Sequence, residues 1–291
     1  MRRRAGLVGG LWLALFAVAA LTPASADAYV RSLTKSTALP LYWHETDIVF
    51  HLDVVGSDDL QDNSELEAVR TSFKTWNDVG CPNGPFRMTL REGSLVTSPL
   101  VEHVEGGDNR NIIKWVETRP PWLHSLAVIG VTSATYDARD GRILDADIEF
   151  NGVHFTYTTT GSPLQIQTDV QNTATHEIGH LLGLDHTFVT GATMEARAPP
   201  GETSKRTLAD DDVVGVCHVE PPTYAIPPGG VPEEETEGCV LGMISPGPTA
   251  AQPGGAGLLW LLGLVVLGGL RVRRINGPPQ RDNRRRTTTS R

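Results

Sequence analysis

The stretch Thr175-His176-Glu177-Ile178-Gly179-His180-Leu181-Leu182-Gly183-Leu184-Asp185-His186 sets three imidazoles and one carboxylate at a spacing suited to a single metal ion. A helix turns by about 100° per residue, so His176 and His180 stand one above the other and both reach one ion. Gly183 can take the left-handed conformation that closes a helix, and the redirected chain returns His186 as third ligand. Val170, Ala174, Ile178 and Leu181 form a stripe pointing the other way, which leaves the histidines on the exposed face of an amphipathic helix. Thr168-Asp169-Val170-Gln171 reads as a capping box at its start, with Thr168 as N-cap.

Three nitrogen ligands suit zinc and keep a place for water. Such a water, deprotonated by a neighbouring carboxylate, is a hydrolytic nucleophile at neutral pH. Glu177 follows a ligand in the chain and is the natural general base. No competing nucleophile is visible, because the three cysteines lie in no thiol-protease signature and no Gly-x-Ser-x-Gly elbow occurs.

Eight residues beyond His186 stands Met194, closing Thr187-Phe188-Val189-Thr190-Gly191-Ala192-Thr193-Met194. The extended histidine motif followed by a methionine turn resembles the metzincin metalloproteases, and the Gly-Ala-x-Met ending resembles their matrixin branch. Ser64 to Val79, with Leu66, Val69, Phe73 and Trp76 at helical spacing, is similar to the first long helix of that family, and Ile48 to Asp53 to its first strand. Val128 to Tyr136 and Arg142 to Phe150 read as strands joined by Asp137-Ala138-Arg139-Asp140-Gly141. Ile143 to Asn151 resembles the strand before the active-site helix in bacterial matrixin-like proteins, and Leu208 to Val216 the last helix. The likeness covers about residues 40 to 219 and is strongest from 142 to 217.

That resemblance implies an α+β zincin-like domain with a twisted, mostly parallel five-stranded sheet, two long helices and a small C-terminal subdomain carrying a third helix. It implies catalytic zinc on His176, His180 and His186, Glu177 as base, and Gly183 and Met194 as structural support. The strand Val131 to Tyr136 would be the edge that aligns an extended protein or peptide substrate. The loop Glu195 to Thr207 would border the pocket for the side chain after the cut. Two departures from the animal matrixins stand out. No cysteine precedes Leu41 outside the signal region, which argues against a cysteine-capped latent form. The histidine pattern of the family's second zinc is missing, while Asp145, Asp147 and Glu149 offer oxygens suited to Ca2+. Acidic residues alternating along a strand equally describe a solvated face.

Both termini read as addresses. Residues 1–28 hold Met1-Arg2-Arg3-Arg4, an apolar run and a small-residue cleavage region, the pattern of a secretory signal peptide. Export would leave disulfides stable. Cys81, just past the first helix, and Cys217, near the end of the last, are the expected bridge, leaving Cys239 for processing or lipid attachment. Residues 29–40 form a short N-terminal segment, 41–219 the metalloprotease domain and 220–255 a Pro/Gly/Glu-rich linker. Residues 256–270 are an apolar stretch and 271–291 a basic tail, together resembling C-terminal surface-sorting signals of myxobacterial proteins. A plain single-span membrane anchor is the other reading. Eleven of the 25 basic residues lie in the two ends, so residues 29–270 carry 14 basic and 32 acidic residues, a net of −18. An acidic body argues against nucleic-acid binding. The expected protein is a monomeric zinc endopeptidase, secreted or tethered at the cell surface. The alternatives are an inactive zinc-binding surface module and a hydrolase of cell-wall amides.

Overall fold

A computed structural model of the chain describes residues 29–107, 109–118, 122–160, 167–219 and 232–237. The signal region, most of the linker, Cys239, the apolar stretch and the basic tail lie outside the described residues. Among the described residues no helix is long and apolar enough to cross a membrane.

Along the chain come β1 (Val30–Arg31), β2 (Asp47–Leu52), α1 (Ser64–Asn77), β3 (Gly80–Cys81), β4 (Gly84–Pro85), β5 (Thr89–Glu92) and β6 (Asn111–Val116). There follow β7 (Gly130–Asp137), β8 (Arg142–Asn151), β9 (Tyr157–Thr158), β10 (Thr168–Asp169), α2 (Val170–Leu181), β11 (Leu184–Asp185), α3 (Asp210–Cys217) and β12 (Pro232–Glu237). The main sheet runs β12-β7-β8-β6-β2-β5. Pairings from β5 to β8 are parallel and β7 is antiparallel to β8, the mixed five-stranded sheet expected from the family resemblance. A sixth strand is added where the sequence reading leaves an open edge: β12, from the linker, pairs antiparallel with β7.

The core lies between sheet and helices. Leu66, Val69, Phe73 and Trp76 of α1 are buried at the expected helical spacing, against sheet residues that include Phe50, Leu52, Ile113 and Ile148. The Phe50 and Phe73 rings stack with centroids 3.5 Å apart. Each fully buried side chain of this size stabilises by roughly 1.5–3 kcal/mol.

Helix α2 departs from the amphipathic expectation. Its N-cap is Asp169, whose carboxylate accepts from Asn172 N at 2.8 Å, so the cap lies one residue beyond Thr168. The Asp169 carboxylate also accepts from the Arg206 guanidinium, so it caps the helix and holds an ion pair at once. From 170 to 181 every residue except Gln171 is buried, the histidines included. The helix is enclosed because α1 and the sheet cover one side and the chain after His186 covers the other.

Residues 29–40 also belong to this fold. β1 pairs antiparallel with β11, Val30 opposite Asp185 and Arg31 opposite Leu184. The Arg31 guanidinium donates to the carbonyls of Gly183, His218 and Leu41, tying the segment to the turn after α2. Burial lowers its pKa to about 10.

Cys81 and Cys217 are joined in a disulfide with Cα atoms 5.6 Å apart, across 136 residues of sequence. The bridge ties the chain just after α1 to the last residue of α3. Closing so long a loop restricts the unfolded chain by about 3–5 kcal/mol. Replacing both cysteines by alanine is expected to lower the denaturation midpoint by a stability loss of that size. Chemical denaturation of oxidised and variant proteins would show it, and equal midpoints would refute the role.

Candidate metal centre

His176 and His180 sit one turn apart on α2, and His186 returns after Gly183, whose φ of 93° is the left-handed turn its position requires. The Nε2 atoms of His176 and His186 are 3.3 Å apart, as are those of His180 and His176. Tetrahedral zinc with Zn–N bonds near 2.0–2.1 Å separates its ligand nitrogens by about 3.3 Å, so the donor set fits the ion. Among the described residues this triad is the one group of three or more metal-ligating side chains whose ligand atoms all lie within 4.8 Å.

The far ring nitrogens hold the tautomers. His176 Nδ1 lies 2.5 Å from Thr193 O and His180 Nδ1 2.7 Å from Leu184 O. An Nδ1–H donated to a carbonyl leaves the Nε2 lone pair for a metal. Burial pushes all three imidazole pKa values down, His176 well below its ordinary range and His180 to about 3, and for these two the neighbouring imidazoles add to the effect. All three rings are therefore neutral at pH 7, the ligand form of histidine.

The turn beneath the triad is clamped from α3. Asp212 accepts from Thr193 N at 2.7 Å, Met194 N at 3.0 Å and Ala209 N at 2.9 Å. Met194 is buried, and its sulfur fills the space a side chain at Gly179 would need. From the other side, Trp76 Nε1 donates to Thr175 O and Trp43 Nε1 to Leu181 O, pinning α2 at both ends of the motif.

Glu177 is fully buried against β7. The Thr132 hydroxyl lies 2.8 Å from its Oε2 and 3.0 Å from its main-chain oxygen. At Gly130 an added Cβ would stand 2.8 Å from Glu177 Oε1, so glycine makes the room this carboxylate occupies. Sequence reasoning missed both residues; a glycine opening a strand was the one available sign of close approach.

Between the first turns of α2 and the loop after Met194 lies a cavity of about 270 Å³, walled by Ile129, Phe155, Ala198 and Pro199 with Asn172 and Thr173 at one side. Its loop is fastened by Lys205, which is buried; its ammonium donates to Arg197 O and Glu202, and its main-chain N–H donates to Asn172 Oδ1 at 2.9 Å.

Residues 130–219 match the matrixin family model. That span contains β7, β8, the three histidines, Glu177, Met194 and α3. A soybean (Glycine max) protein, Metalloendoproteinase 1, is 46% identical over 57 residues, 20% of this chain and 18% of its own length. Metalloendoproteinase 4-MMP of Arabidopsis thaliana is 36% identical over 89 residues, 31% of this chain and 25% of its own. Metalloendoproteinase 1-MMP of the same plant is 43% identical over 58 residues. The chain thus aligns with a quarter or less of each relative's length. These matches support a matrixin-like metalloprotease for the part of the chain that carries the triad.

Asp145, Asp147 and Glu149 do not form a solvated face. Asp145 and Asp147 are 3% exposed, and the trio is not a close-set ligand group of the kind the histidines make. Burial raises the Asp145 and Asp147 carboxyls above the usual range, and the charge of Asp145 raises Asp147 further. Ile112 N donates to Asp147 at 2.7 Å, a bond asparagine could also accept.

Two expectations follow from these contacts. Gly130→Ala should displace the Glu177 carboxylate and, with Glu177 read as general base, lower kcat/KM by about 10²-fold while zinc content is kept, since misplacing a reacting group by about 1 Å costs that much. Kinetics beside metal analysis decide it, and unchanged kcat/KM would contradict the close packing. A carboxyl raised in the folded state holds a proton that the unfolded chain has lost. Its contribution to stability therefore declines as pH rises from the ordinary carboxylate range through the raised value. In metal-free protein the three lowered imidazoles act in the opposite sense, so the readout is the difference between variant and parent: Asp147→Asn should gain stability relative to the parent between pH 5 and pH 8, and a constant difference would rule the assignment out.

Proposed function

We propose that this chain is an exported zinc-dependent endopeptidase that cuts extended protein segments. The observation that carries the reading is the triad of neutral imidazoles, whose ligand nitrogens all lie within 4.8 Å of one another, in sequence beside the buried Glu177 carboxylate. His176, His180 and His186 would hold the ion through Nε2. Bound there, zinc supplies Lewis acidity, polarising the scissile carbonyl and acidifying a water.

The remaining steps belong to the chain's own groups. Glu177 accepts the proton of the attacking water and delivers it to the leaving amine. Thr132 keeps one carboxylate oxygen engaged and so sets the orientation of the other. β7 offers main-chain donors and acceptors along an extended peptide, in the manner of an added strand. The cavity walled by Ile129, Phe155, Ala198 and Pro199 would receive the apolar side chain that follows the cut. Water attack without a covalent enzyme intermediate agrees with the absence of a serine or cysteine nucleophile among the residues gathered at the centre. The signal sequence motivates export, with the product secreted or held at the surface through its C-terminal region.

Glu177→Ala is expected to abolish casein cleavage, by about 10²–10⁴-fold at least, while leaving the zinc content at one ion per chain. Cleavage at wild-type rate in that variant would eliminate the assigned mechanism. A zinc-loaded wild type inert toward a diverse peptide library would eliminate the endopeptidase reading itself.

A further inference from the structure

We propose that Pro232–Glu237 is a built-in competitor that occupies the peptide-binding edge of β7, a proposal that rests on the endopeptidase reading. The pairing is continuous and antiparallel, from Pro232 opposite Asp137 to Glu237 opposite Thr132. Thr132 is the residue whose hydroxyl engages the Glu177 carboxylate. The C-terminal end of β12 therefore lies one strand spacing, about 4.8 Å, from the residue that orients the base. Main-chain groups of β7 that would align an extended peptide are taken by the chain itself from 132 to 137.

The occupant has the character of a replaceable strand. It begins with proline, which is tolerated at the first position of an edge strand. Four of its six residues are glutamate, a poor strand former, and the rest of the described domain is itself acidic. An intramolecular tether compensates for weak pairing. Twelve residues, 220 to 231, separate the last described residue of the domain from Pro232. A linker that short keeps the local concentration of the segment in the millimolar range. A peptide substrate then binds only the fraction of molecules in which β12 has left, and its apparent affinity falls by that fraction.

The test is made in the full-length chain with Glu234→Pro and Glu235→Pro together. Consecutive strand residues point their N–H groups to opposite sides, so one of the two must face β7, and proline has no N–H to give. The variant is expected to show a KM for a quenched fluorescent peptide about three- to tenfold lower, with kcat unchanged. The synthetic peptide Pro-Glu-Glu-Glu-Thr-Glu, added to the variant, should raise KM again as a competitive inhibitor. Independently of activity, hydrogen exchange should accelerate in the variant at those amides of Thr132–Asp137 that face β12, while the alternate ones bonded to β8 stay protected. Unchanged KM together with unchanged exchange overturns the proposal. A wild-type KM that rises with enzyme concentration also overturns it, since a second copy would then supply the strand. If exchange responds but neither protein cleaves any peptide, the strand pairing stands and the endopeptidase reading falls.

Discussion

Three imidazoles, with the Nε2 atoms of His180 and His186 each 3.3 Å from that of His176, impose the constraint on which the rest of this domain depends. Buried and neutral, the rings present converging lone pairs that repel one another unless a cation lies between them. That arrangement persists in the fold because two of the rings are held from behind and the chain around all three is tied down. Thr193 O and Leu184 O take the outer nitrogens, Asp212 holds Thr193 and Met194, and Arg31 holds the turn at Gly183. Every major part of the domain contributes to this support: the N-terminal segment, both long helices, the methionine turn and α3. The disulfide from Cys81 to Cys217 then fastens α3, and with it Asp212, to the end of α1.

Burial of the metal centre follows from the same economy of supports. An amphipathic helix with histidines on a solvent face would leave Glu177 and both ligands in water, where a carboxylate is well solvated and loosely oriented. Here the histidine face of α2 is covered by the chain after His186, while Glu177 is enclosed by β7. In such surroundings a hydrogen bond such as that from Thr132 acts at lower dielectric and directs the carboxylate more strongly.

Local patterns in the chain were legible where one residue type answers one physical demand. Helical spacing of Leu66, Val69, Phe73 and Trp76 places α1 within two residues of its end, and the histidine spacing brings three ligands to one point. The parallel sheet came from family resemblance, since alternation along short strands does not specify partners. What stayed hidden depends on neighbours distant in sequence. Asp169 rather than Thr168 caps α2 because Asn172 and Arg206 both meet it there. The enclosure of α2 is a property of the chain after it, not of its own periodicity. Asp145 and Asp147 look like a solvated face in one dimension and are buried in three. Residues 29–40 carry no strong pattern, yet Arg31 closes the turn beside the ligands. Gly130 and Thr132 are ordinary in a strand and become specific only when Glu177 is placed against them.

A single strand, β7, carries both the room for the Glu177 carboxylate and the edge that pairs with β12. Gly130 and Thr132 face Glu177, and the outer edge of Thr132 to Asp137 pairs with another strand. Peptide alignment and base orientation are therefore mechanically joined through one backbone, since any shift of β7 that improves pairing also moves the Thr132 hydroxyl. The antiparallel pairing of β7 with β8, shifted in register between Thr135 and Tyr136, fixes that backbone from the other side. The strand is thereby regular at the end nearest the triad, where Thr132 meets the Glu177 carboxylate. The irregularity falls at the far end, where the strand leaves the centre and geometry matters less.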